Sequence, residues 1–137
     1  MKQRHILALF ASLALPVAAL AHHSGAAFDT TKSVTLNGTI TEFNWTNPHS
    51  SFKVEVVGAD GKPVIWAIEM NAPQNLIAQG WKRTTLKPGD KVSATVRPLR
   101  NGSPGGSYMS IKLADGKVMD GAGSGSTAAG APAAPSY

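Results

Sequence analysis

Residues Val34-Thr35-Leu36-Asn37-Gly38-Thr39-Ile40-Thr41-Glu42-Phe43-Asn44-Trp45 carry the pattern that decides the architecture. Val34, Leu36 and Ile40 share one parity, and Phe43 and Trp45 share the other. Period-two alternation predicts a strand, and the change of parity predicts a β-bulge near Thr41 or Glu42. A strand curved in this way suits a small closed barrel.

Further along the chain, Phe52, Val54 and Val56 alternate with Ser51, Lys53 and Glu55, the pattern of a half-buried second strand. Gly58-Ala59-Asp60-Gly61-Lys62-Pro63 reads as a turn. Val64, Trp66, Ile68 and Met70 then form the inner face of a third strand. A short helix follows, with Asn71 as its expected cap, Pro73 in its first turn, Leu76 and Ile77 on its buried side, and Gly80 at its end. Trp81 is expected to fold back onto the barrel. Val92, Ala94 and Val96 mark a fourth strand, ended by Pro98. Asn101 to Gly106 reads as a flexible loop. Tyr108 to Leu113 reads as a fifth strand with Met109, Ile111 and Leu113 on one side, and Lys117 to Met119 as a short return. The expectation is an all-β fold: a five-stranded OB-like Greek-key barrel with one short helix between strands 3 and 4. A small β-sandwich is the rival.

The ends of the chain differ from this body. Lys2-Gln3-Arg4-His5 precedes an apolar run from Ile6 to Leu20, and Ala19-Leu20-Ala21 fits a signal-peptidase site. Residues 1–21 are therefore expected to be a removable signal peptide, which places the mature protein in the periplasm or outside the cell. The apolar run is shorter than the roughly 20 residues a spanning helix wants. No membrane span is expected after cleavage. Residues 121–137 carry no charge and are nearly all Gly, Ala, Ser and Pro, so a disordered tail is expected. The barrel domain is then 22–120, about a hundred residues, enough for one modest core.

Composition narrows the function. There is no cysteine, which excludes disulfide scaffolds, thiolate metal sites and thiol nucleophiles. Loss of Lys2 and Arg4 with the leader leaves 11 basic against 8 acidic residues, a net charge of +3. So weak an excess does not argue for nucleic acid. GxSxG, Walker A, HExxH and CxxC signatures are all absent. A binding module is expected rather than an enzyme.

The histidines are the chemistry-bearing residues. Cleavage after Ala21 makes His22 the first residue, beside His23, while His49 lies in the loop Trp45-Thr46-Asn47-Pro48-His49 at the barrel mouth. A terminal histidine offers an amine and a ring nitrogen together, and one more imidazole completes three nitrogen ligands. That set suits copper first and zinc second, with Asp29 or Glu42 as a possible oxygen ligand. Met70, Met109 and Met119 are thioethers suited to Cu(I), although Met70 fits core alternation better. Glu55 and Glu69 fall on polar strand faces, and Glu42 alone is expected near the His-bearing loop. Trp45 and Trp81 flank loops and are candidates for stacking a ligand.

His22-His23-Ser24 with Phe28-Asp29, Gly38-Thr39-Ile40, Trp45-Thr46-Asn47-Pro48-His49, Gly80-Trp81 and Lys87-Pro88-Gly89-Asp90 resemble an uncharacterised family of small exported bacterial proteins, a domain of unknown function. The resemblance implies bacterial origin, export and a shared fold. It points by motif at His22, His23 and His49. The Gly/Ala/Pro tail departs from it. The functional alternatives are a metal-binding module, a module binding an envelope glycan, peptide or protein partner, and, third, a copper oxidative enzyme.

Overall fold

The computed structural model describes residues 25–121. The expected signal peptide, His22, His23 and all of the expected tail except Gly121 lie outside the described residues. After a 3-10 turn at Gly25–Ala27 come β1 (Val34–Asn44), β2 (Ser51–Val57), β3 (Pro63–Glu69), α1 (Pro73–Ala78), β4 (Lys91–Pro98), β5 (Gly105–Lys112) and β6 (Val118–Asp120).

β1 organises the barrel. Its first half pairs antiparallel with β4, from Val34↔Val96 to Thr39↔Lys91. Its second half pairs antiparallel with β2, from Gly38↔Val56 to Asn44↔Ser51. The register with β2 shifts between Ile40 and Glu42, so the bulge falls where the change of parity puts it. A bulge bends and twists a strand, which lets one strand serve two parts of a curved wall. β2 pairs with β3, β4 pairs with β5, and a parallel pairing of β3 with β5 closes a five-stranded OB-type barrel. β6 adds to β5 beyond that closure. No helix among the described residues is long and apolar enough to cross a membrane.

The alternating residues fill the interior: Leu36 and Ile40 from β1, Phe52 and Val54 from β2, Trp66 and Ile68 from β3, Ala94 and Val96 from β4, and Ile111 from β5. Fully burying an aliphatic or aromatic side chain of this size contributes about 1.5–3 kcal/mol, so these few residues supply much of the driving force.

The helix ends as its sequence predicts, but starts differently. Gly80 has φ +85°, a left-handed conformation that favours glycine. Its amide donates to the Ile77 carbonyl, and the Trp81 amide donates to the Leu76 carbonyl, each at 2.9 Å. This is the Schellman arrangement, whose usual companion is a hydrophobic contact between the residues that Leu76 and Trp81 represent. Both side chains are buried in the core. Asn71, however, does not cap the helix. The N-cap is Ala72, without a side-chain bond, and the Asn71 carbonyl instead accepts the Ser50 amide at 3.1 Å. Ile77, expected on the buried side, is 61% exposed. A helix of under two turns presents a narrow stripe inward, and Leu76 occupies it.

β5 brings two further corrections. It begins at Gly105, inside the stretch read as a flexible loop, because Gly105, Gly106 and Ser107 make the closing contact with Ala67, Ile68 and Glu69. A Cβ on Gly106 would lie 2.5 Å from the Arg97 carbonyl oxygen, so strand and neighbour approach here only without a side chain. A second irregularity interrupts the β4–β5 register: Thr95 faces Ser110, while Val96 faces Tyr108. Met109 is the extra residue. Tyr108 and Ile111 therefore point inward, and Met109 does not belong to the core row expected of it.

Candidate functional site

Between β1 and β2 the chain crosses the barrel mouth through Trp45 to Ser50. This crossing is fixed at both ends. Trp45 packs edge-on against Phe43, with ring centroids 5.8 Å apart, and Phe43 lies against Trp81 at 6.1 Å. The Asn47–Pro48 peptide is cis. The Thr46 hydroxyl donates to the His49 carbonyl at 3.2 Å. Ser50 is fully buried. Its amide donates to the Asn71 carbonyl, and its carbonyl accepts the Met70 amide at 2.8 Å. The backbone that follows His49 is thereby stapled to the chain leaving β3, and the Thr46 hydroxyl holds the His49 carbonyl from within the loop.

That staple continues the β2–β3 ladder, in which Ser51 faces Glu69. Alternation places His49 and Ser51 on the outer face and Ser50 and Phe52 on the inner one. His49 consequently meets Glu69 diagonally across the ladder, with Nδ1 2.5 Å from Oε1. Both side chains are partly open to solvent, 47% and 36% exposed. An ion pair this exposed contributes little to stability. Its effect is on the direction of the ring. Alternation alone puts Glu69 on a polar face away from the loop. The turn at Gly58–Lys62, closed by the Gly58 amide on the Lys62 carbonyl at 2.8 Å, was the signal that could have found it. Pairing Val57 with Pro63 and counting back along both strands brings Ser51 to Glu69.

His49 and Glu69 border a groove of about 390 Å³. Its other walls include Phe28, Lys53, Leu99 and Gly106, over a floor containing Phe52 and Ile68. Phe28 arrives there because the N-terminal segment runs beside the β4–β5 connection. Phe28 bridges to Leu99, the Asp29 amide donates to the Pro98 carbonyl at 2.8 Å, and the Arg100 amide donates to the Ala27 carbonyl at 2.9 Å. The groove thus lies between the β1–β2 and β4–β5 loops beside β2 and β3, the region OB barrels use to hold ligands.

The remaining candidates are dispersed. Asp29 accepts the Thr31 amide at 3.0 Å and the Thr31 hydroxyl at 2.6 Å, with Lys32 at 3.4 Å. The Thr31 bonds hold its carboxyl below the usual range. Glu42 accepts Lys53 Nζ at 2.7 Å on Oε2 and Asn44 Nδ2 on Oε1, and these partners lower its pKa, Lys53 first. Both carboxylates are already engaged by neighbours. Met70 and Met119 lie in the core. Trp45 is half-buried. Trp81 is 1% exposed, with Phe43 and Tyr108 against its ring, so it serves as part of the core and offers no face to a ligand from solvent. Among the described residues no three His, Cys, Asp or Glu side chains are grouped closely enough to hold a metal ion. His49 is in place at the mouth, while His22 and His23 lie outside the described residues.

Residues 10–108 match a family of unknown function (DUF6152). No curated protein matches the chain. Among solved structures, the mitochondrial single-stranded DNA binding protein Rim1 of S. cerevisiae is similar, with 13% sequence identity and a TM-score of 0.47. The match covers 61% of this chain and 93% of that one.

Proposed function

We propose, for a chain that belongs to the family of unknown function DUF6152, that it is an exported, periplasmic or secreted module that binds a metal ion, copper first and zinc second. The ligands are the His22 amine and ring and the His49 ring, with His23 beside them.

The observation that carries this reading is that the N-terminal segment and His49 share a groove. Phe28 and His49 line the same depression, and the Ala26 and Ala27 carbonyls are bonded to Arg100 at its border. His22 lies three positions before Gly25. That is about 10 Å of extended chain, a short tether from a segment already anchored beside the loop histidine. Amine and imidazole nitrogens are the donors copper prefers. The terminal amine must be deprotonated to bind, with an ordinary pKa of about 7.7–8.0, so affinity rises through that range. The proposal does not extend to nucleic acid. Single-strand binding on barrels of this kind stacks bases on accessible aromatics along a basic groove. Here Phe52, Trp66, Trp81 and Tyr108 are buried, and Lys53 is paired with Glu42.

The test is a Cu(II) titration of protein exported through its own leader, alongside His49→Ala. One equivalent bound tightly, with affinity reduced at least about tenfold in the variant, supports the reading; even an outer partner of a metal ligand is worth that much. Binding indifferent to His49 defeats it. The apolar floor of the groove favours a second reading, a module for an envelope glycan, peptide or protein partner. Tryptophan fluorescence that responds to glycans and ignores copper would select it.

A further inference from the structure

The metal reading gives His49 a role and leaves Glu69 without one. Glu69 is not a core residue, and among the described residues it pairs with no lysine or arginine; Lys53, which also lines the groove, is bonded to Glu42. Its backbone is fixed on both sides, facing Ser51 in β2 and Ser107 in β5. This is the closing seam of the barrel, and its carboxylate reaches the Nδ1 nitrogen of His49.

An ionised carboxylate only accepts hydrogen bonds, so the Nδ1 nitrogen facing it must carry the proton. In a neutral ring Nε2 is then the bare nitrogen. Nε2 lies across the ring from Nδ1 and faces away from Glu69. A free histidine side chain prefers the opposite arrangement, with its proton on Nε2. We infer that Glu69 is a positioning residue: it holds neutral His49 in the Nδ1–H form, so that the ring presents the Nε2 lone pair away from β3 as the nitrogen that receives an incoming ligand. That the ligand is a metal ion rests on the function proposed above; the state of the ring does not. Carboxylates behind metal-binding histidines commonly act in this way, fixing the tautomer and raising the basicity of the outward nitrogen. The geometry supports such a role here because the histidine is carried on a held main chain opposite a held glutamate. Thr46 and Ser50 hold its backbone, and Glu69 stands on the most constrained end of β3.

The experiment is two-bond proton–nitrogen NMR of the imidazoles in the 15N-labelled, metal-free full chain, at a pH where His49 is neutral, compared with Glu69→Ala and Glu69→Gln. The expected wild-type pattern is protonated Nδ1 and bare Nε2. Glu69→Ala moves the proton to Nε2, and Glu69→Gln, which keeps an acceptor oxygen, retains the wild-type form in part. Copper affinity then falls about 10–100-fold in Glu69→Ala, and less in Glu69→Gln. Wild-type His49 protonated on Nε2, or a tautomer unchanged by Glu69→Ala, overturns the inference. If Glu69→Ala does not fold, the wild-type spectrum and Glu69→Gln decide it. A ring in the Nδ1–H form in a protein that takes up no metal keeps the role of Glu69 and defeats the metal reading alone.

Discussion

Around Trp81 the neighbours are rings and aliphatic chains: Phe43 at 6.1 Å, Tyr108 edge-on at 5.4 Å, and Leu76 from the same helix end. Around His49 they are a threonine hydroxyl, a carboxylate and the backbone that ties Ser50 to β3. The two regions are joined through Phe43 and Trp45, yet they are held by different forces. Burial of apolar surface is non-directional and strong in aggregate. Exposed hydrogen bonds are weak and directional. The first arrangement sets whether the chain folds. The second sets how one ring is presented once it has folded. A substitution at the mouth should therefore change binding at nearly constant stability, and one in the interior should change stability first.

The comparison breaks most easily at its strong end. Trp81→Ala should cost about 3–5 kcal/mol, read as a large fall in the urea midpoint. A loss under about 1 kcal/mol would mean that the interior does not depend on this plug. Gly80→Ala should cost about 1–2 kcal/mol, since φ +85° is strained for a residue with a Cβ. The same urea series measures it.

Tyr108→Phe comes next, at about 1 kcal/mol. It removes the hydroxyl that donates to the Met119 carbonyl at 2.6 Å inside the core. It also changes the alkaline limb. Burial pushes the Tyr108 phenol above its ordinary range, with the Trp81 side chain offsetting part of the rise. The folded state then keeps its proton where the unfolded chain has lost it. The contribution is full below the unfolded pKa of about 10 and declines as pH climbs above it. Urea midpoints measured across the alkaline range should fall more steeply in the wild type than in Tyr108→Phe. Equal slopes would remove Tyr108 from the account. The smallest effect on folding belongs to His49→Ala, within about 0.5 kcal/mol, despite abolishing the Glu69 contact. A large destabilisation there would show that the mouth is structural after all.

The legible and illegible parts of the sequence divide along the same line. Alternation in Phe52–Val54–Val56, Trp66–Ile68–Met70 and Val92–Ala94–Val96 announces inward faces, because burial writes a period into the sequence. The bulge between Ile40 and Glu42 is readable for the same reason, since it changes parity. Closure is not readable. It depends on Gly105 and Gly106, where the absence of side chains permits close approach and leaves no hydrophobic signal. The bulge at Met109 was missed because Met109, Ile111 and Leu113 imitate a regular row. Trp81 looked equally suited to a loop and to the core, and the helix-ending geometry at Gly80 is what buries it. At the mouth, His49 could be found from residue type and its place between strands. Glu69 is not visible in the alternation alone, because its meeting with His49 emerges only when the register is counted back from the Gly58–Lys62 turn along both strands.

The central claim is that the N-terminal histidine and the loop histidine act as one site. The most direct measurement is electron paramagnetic resonance of the Cu(II) complex of exported protein whose first residue is His22, beside a variant with one added residue before it. The account predicts a single species with several nitrogen ligands. Its nitrogen pattern and tight affinity should be lost when the added residue displaces the amine, and lost again in His49→Ala. An identical spectrum in all three proteins would contradict a shared site and return the groove to a ligand other than a metal.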